Sequence, residues 1–99
     1  MTPTLRTHLE DLLDRAQWQW LESHVLRGRV LVVAESLSLV DVGLALAEDR
    51  TADVRQWIDD AWLYQPTTDQ IKQWQGAQPQ FPCLIIQPFI LIHIHSDAP

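Results

Sequence analysis

The run FPCLIIQPFILIHIH at residues 81–95 restricts the fold of this chain more than any other feature, because neither of its alternating faces is polar. Read as one extended strand, it puts Ile85, Phe89 and Leu91 on one side and Leu84, Ile86, Ile90 and Ile92 on the other. Successive side chains of a strand point to opposite faces, so a strand wetted on one side would carry a polar residue at every second position. Both faces of this run must therefore be covered. Pro88 has no N–H to give a ladder, which predicts a bulge there or a place at the sheet edge.

The remaining chain supplies the covering elements. Leu5, Leu9, Leu12, Leu13, Ala16 and Trp20 recur at three- and four-residue steps, which predicts one amphipathic helix running to about Leu26 and stopped by Gly28. Pro3 suits its first turn, and Thr7 with Glu10 has capping-box spacing if the helix begins later. Trp18 lies off that stripe and is expected to be exposed, as a contact residue. RVLVVA at 29–34 is short and β-branched and reads as a buried strand. Ser38, ahead of Asp41, opens a helix with Leu39, Val40, Gly43, Leu44 and Ala47 on one side. Glu48, Asp49 and Arg50 form a turn. Thr51 is expected to cap the next helix, with Asp53 in its first turn and Val54, Trp57 and Ile58 facing the core. AWLYQP at 61–66 is extended or a short strand. Thr67 and Gln70 form a second capping pair, starting a helix to about Trp74 with Ile71 and Trp74 inward.

These elements predict a single α+β domain over residues 1–99, with 1–4 and 96–99 frayed. It should hold about four helices and a small two- to three-stranded sheet. The element order is compatible with a winged helix.

Bulk chemistry narrows the functions. With 13 acidic and 7 basic side chains the net charge is −6, which disfavours phosphate backbones and anionic membranes as partners. The longest apolar stretch, residues 83–92, is about half a membrane span. The N-terminus, with acids in its first turns and no long apolar core, is neither a signal nor a transit peptide. Cys83 is the only cysteine, so no internal disulfide or cysteine metal cage can form, and a cytoplasmic setting is expected.

Several constellations suggest chemistry. Residues 42–63 have the layout of a helix-turn-helix. A DNA-reading helix presents Arg, Lys, Asn or Gln to base edges, whereas the second helix here offers Asp53, Arg55, Gln56, Asp59 and Asp60. Carboxylates facing a polyanion outweigh Arg55, so the hairpin suits packing or a protein contact. His93 and His95 point to one face of a strand with the spacing of two metal ligands. No third ligand is apparent, and a strand end turning polar is the simpler reading. Cys83 sits in an apolar strand without a nucleophile elbow and reads as a buried structural thiol. Arg27 and Arg29, near Arg15 and His24, form the one concentration of positive charge, suited to an anion, an acidic partner or the end of a helix dipole.

LSLVDVGLALAEDRTADVRQWIDDAWL, PTTDQIKQW and FPCLIIQPFILI together resemble a small cyanobacterial and proteobacterial family known only as a domain of unknown function, family 2288 of that series. Its most specific parts are the run through Trp57, Ile58, Leu63, Pro66 and Thr67 and the IQPFIL run at 86–91. The resemblance implies a compact bacterial cytosolic protein and carries no catalytic residues to transfer. The family has a glycine where this chain has Ala61 or Trp62, so an altered turn is expected there.

The sequence thus predicts a non-enzymatic protein-interaction or regulatory module without a cofactor. Trp18, Arg27, Arg29, Arg55, Asp59 and Trp62 are its candidate contact residues. The alternative is a divergent winged-helix nucleic-acid binder using Arg6, Arg15, Arg27 and Arg29. A homodimer is expected, because the doubly apolar last strand and the tryptophans exceed what so few helices can cover.

Overall fold

The structure is a computed structural model described over residues 4–94. In chain order it contains α1 (Leu5–Asp11), β1 (Asp14–Gln17), α2 (Trp18–Leu26), β2 (Val30–Val33), α3 (Leu39–Ala47), α4 (Thr51–Asp59), β3 (Leu63–Tyr64), α5 (Thr68–Ala77), β4 (Gln80–Ile86) and β5 (Phe89–His93).

The long apolar run is two strands. β4 and β5 form an antiparallel hairpin closed at Gln87–Pro88, whose peptide bond is cis. Pro88 thus neither bulges a strand nor marks a sheet edge; it lies in the turn, where no ladder needs its N–H. The reversal also regroups the faces. Ile85 pairs with Ile90 and Leu84 with Leu91, so Phe81, Cys83, Ile85, Ile90 and Ile92 share one face, while Leu84, Ile86, Phe89 and Leu91 share the other.

The five-stranded sheet has the order β1-β4-β5-β2-β3, with β2 parallel to β5 and every other pairing antiparallel. Trp18, Leu21 and Trp74 from α2 and α5 pack with Phe81, Cys83, Ile90 and Ile92 on one face. Leu9 of α1 and Leu39, Val40, Val42 and Leu44 of α3 pack with Leu84 and Leu91 on the other, and Val54 and Trp57 of α4 flank them. Five helices and five strands exceed the expected counts, and the hairpin is the middle of the sheet rather than a wing. The fold remains α+β. Both faces of the hairpin are covered within one chain except at Ile85, so the doubly apolar run does not by itself require a second copy.

The first helix departs furthest from expectation. It stops at Asp11, and residues 14–17 pair with β4 before α2 begins at Trp18. Without β1, the outer side of β4 would present a row of unpaired N–H and C=O groups, and pairing satisfies them. The interruption resets the helical phase. Trp18 turns inward and is 1% exposed, whereas Trp20 turns outward and is 45% exposed. Thr4 caps α1 by accepting from the Thr7 N–H, so the alternative Thr7–Glu10 start is not used.

The later signals hold more closely. Ser38 accepts from the amides of Val40 and Asp41, and Thr67 with Gln70 completes a reciprocal capping box. Gly28, at φ 72, ends α2: its amide donates to the Val25 carbonyl while the Arg29 amide donates to the His24 carbonyl. Asp49, at φ 55, does the same after α3 without a glycine. The cap of α4 is Arg50 rather than Thr51, with no side-chain bond, and Ile58 is exposed rather than core-facing.

Candidate functional site

Beyond the N-terminal end of β1, the outer side of β4 has no strand beside it. The ladder between β1 and β4 stops where Asp14 faces Cys83, two residues short of Ile85. The Ile90 N–H donates to the Arg29 carbonyl at 2.9 Å, so the backbone of Ile90 faces β2. Successive residues of a strand alternate in the direction of their backbone groups, and residues opposite each other either exchange both bonds or neither. Ile85, opposite Ile90, therefore directs its N–H and C=O away from β5, past the end of β1. Among the described residues, no backbone or side-chain group bonds to them. This interior strand therefore carries one unpaired position among the described residues, next to the end of β1.

Side chains form a groove of about 560 Å³ around that position, with Leu12, Ala16, Trp20, Cys83 and Ile85 as its apolar walls. Leu12, Trp20 and Ile85 are 46%, 45% and 43% exposed, far from the burial of the core. A hollow of about 410 Å³ shares Trp20 and Ile85 with the groove and continues past His24, Arg29, Gln87 and Pro88. The Trp20 and His24 rings lie 4.7 Å apart, one helical turn from each other on α2.

The electrostatics of this surface run against those of the whole chain. Its charged walls are Asp14, Arg15 and Arg29. Asp14 is already engaged, its carboxylate accepting from the Arg15 amide at 2.8 Å. The same bond blunts the free edge of β1, a common protection of edge strands. No salt bridge holds Arg15 or Arg29 among the described residues, whereas Arg6 is bound to Asp41 and Arg50 to Glu48 and Asp53. Cys83 lines the floor, where burial first and the Asp14 carboxylate second push its thiol pKa upward. A thiol so held is a poor nucleophile.

The candidates read from the sequence do not converge on one site. Trp18 is in the core against Trp74, their ring centres 5.5 Å apart, and cannot be a contact residue. Its buried indole N–H has no hydrogen-bond partner among the described residues. Arg29 lines the hollow beside Trp20, and Arg27 is exposed two residues before it at the end of α2. Arg55 borders a separate cavity of about 260 Å³ with Leu46, Val54 and Ile58. Asp59 and Trp62 are exposed at the end of α4 and just after it. The Nε2 atom of His93 is 2.7 Å from the Leu37 carbonyl oxygen and donates to it, tying β5 to the loop before α3. His95 lies outside the described residues, and among those described no three His, Cys, Asp or Glu side chains are placed to hold a metal.

Sequence reasoning missed Leu12, Trp20 and Ile85 because each fits an apolar stripe equally well. Only the break at β1 exposes the first two, and only the hairpin register aims Ile85 at the groove. Leu12, Leu13 and Asp14, two apolar residues running into an acid, are the one local sign of that break.

Comparison with known proteins agrees with the fold and adds no chemistry. A family model described as "Protein of unknown function (DUF2288)" matches residues 4–94. The NMR solution structure of PA1075 from Pseudomonas aeruginosa is 26% identical, with a TM-score of 0.80, covering 100% of this chain and 92% of that one. No curated protein matches.

Proposed function

Because the chain belongs to the DUF2288 family of unknown function, its role has to be read from its own surface, and we propose that it is a non-enzymatic protein-binding module. The contact surface in this reading is the groove beyond β1. One observation carries it: three large apolar side chains, Leu12, Trp20 and Ile85, stay close to half exposed together around an unpaired strand position. Exposed apolar patches rimmed by polar groups mark binding surfaces, and aromatic residues with arginine dominate the energy of such contacts. The acids Asp53 and Asp59 of α4, with Asp60 at its cap, give no support to a DNA-reading role for that helix.

A photo-crosslinking amino acid placed at Trp20, and separately at Trp62 as an exposed control, tests this in living bacteria. Adducts of higher mass from position 20 and none from position 62 are expected. Equal adducts from both, or none from position 20, overturn the reading.

A further inference from the structure

We propose that the groove takes an extended acidic peptide, in which a large apolar side chain stands within a residue or two of an Asp or Glu. This deepens the protein-binding reading and rests on it. Three independent features set the chemistry of the occupant.

The first is the backbone. The N–H and C=O of Ile85 point into the groove in the line that β1 would have taken had it continued. A segment in extended conformation satisfies both groups at once by adding to β4, the mode in which main-chain bonds hold a peptide at a sheet edge. A helix presents no free N–H and C=O pair along its side and cannot do this.

The second is shape. Strand side chains alternate, so a peptide paired at Ile85 turns one side chain onto the floor of Ala16 and Cys83, between Leu12 and Trp20. That floor is apolar and requires an apolar side chain.

The third is charge. Arg29 borders the hollow without a salt bridge among the described residues, whereas in the groove itself Arg15 and the Asp14 carboxylate offset each other. In a chain of net charge −6, the guanidinium of Arg29 favours an anionic segment over a basic one. Trp20 and His24, their rings tilted by 51°, supply an aromatic wall beside Arg29, against which an acidic side chain is partly shielded from water, which strengthens its attraction to the guanidinium.

The test is selection of random short peptides displayed against the immobilised full chain. Enriched sequences should pair a large apolar residue with a nearby Asp or Glu. Their affinity should fall about tenfold or more in Trp20→Ala and in Arg29→Glu, stay unchanged in Trp62→Ala, and weaken with salt. Far-UV circular dichroism verifies that the exposed-site variants fold. In the wild-type chain, a bound peptide should slow amide hydrogen exchange at Ile85, with little change at Leu84 and Ile86.

Each contrary result has a distinct meaning. Neutral or basic peptides that still need Trp20 overturn the acidic occupant and leave the groove as a binding surface. Peptides indifferent to Trp20→Ala overturn both. No enrichment overturns the peptide proposal, while the cellular crosslinks decide the wider reading. A solution mass twice 11.4 kDa that Trp20→Ala halves assigns the groove to a second copy and overturns the peptide proposal.

Discussion

Gly43 gives the fold its sharpest quantitative test. It lies in α3 where that helix crosses β4, and a Cβ added there would stand 2.8 Å from Leu84 Cδ2 and 3.4 Å from two atoms of Ile86. Carbon atoms rest at about 3.5–4.0 Å, so the overlap with Leu84 approaches an ångström. Leu84 is fully buried on an interior strand, so its Cδ2 can yield only against other buried atoms. Overpacking of this kind costs about 1–3 kcal/mol. Against it, replacing glycine by alanine within a helix gains about 1 kcal/mol. Gly43→Ala should therefore range from neutral to about 2 kcal/mol destabilising. Gly76 is the internal control, because in α5 nothing lies within 4 Å of an added Cβ. Gly76→Ala should keep the helical gain alone, roughly 0.5–1 kcal/mol so near a helix end. The difference between the two variants isolates the packing term at about 1–3 kcal/mol. Urea unfolding followed by tryptophan fluorescence measures it as a change of midpoint at constant slope. If Gly43→Ala stabilises as much as Gly76→Ala, α3 does not press on β4 as described.

Three further outcomes follow from particular residues. Ala61 holds a left-handed φ of 61°, which costs a non-glycine residue about 1–2 kcal/mol, so Ala61→Gly should raise the melting temperature by a few degrees after the entropy of glycine is subtracted; a lower value contradicts the turn geometry. Thr67→Ala removes the capping box of α5 and should cost about 1 kcal/mol in a urea titration, with no loss contradicting the cap. The raised thiol of Cys83 has a pH signature. Unfolded, the thiol loses its proton near its ordinary value of about 8.5, whereas the folded form retains it, so stability falls as pH rises through that value. Urea midpoints taken from neutral to alkaline pH should decline less steeply in Cys83→Ala than in the unaltered chain, and parallel declines would refute the burial of that thiol.

Local chemistry was the legible part of this sequence. Ser38, Gly28 and the Thr67–Gln70 pair act through bonds to their own neighbours, so their effect is written in adjacent positions. The demand that the 81–95 run be covered on both faces was also readable, because alternation shows burial without naming what buries it. What failed was long-range. A helical stripe from Leu5 to Trp20 is equally consistent with two helices flanking a strand, and the choice is made by the open side of β4, some 65 residues away in sequence. Pro88 could signal a bulge, an edge or a turn, and choosing the wrong one misassigned the faces of every residue after it. The groove depends on both of these decisions. The stripe alone therefore puts Trp18 at the surface and Trp20 in the core, the reverse of their actual places.

Residue-resolved amide hydrogen exchange in the free chain tests the open strand position at Ile85 directly. Leu84 and Ile86 bond to β5, and Cys83 faces β1, so their amides should exchange slowly. The Ile85 amide, lying between them in the same strand, should exchange faster by orders of magnitude. Protection of Ile85 equal to that of its neighbours would mean that the sheet edge is closed, and the groove would lose its basis as a binding site.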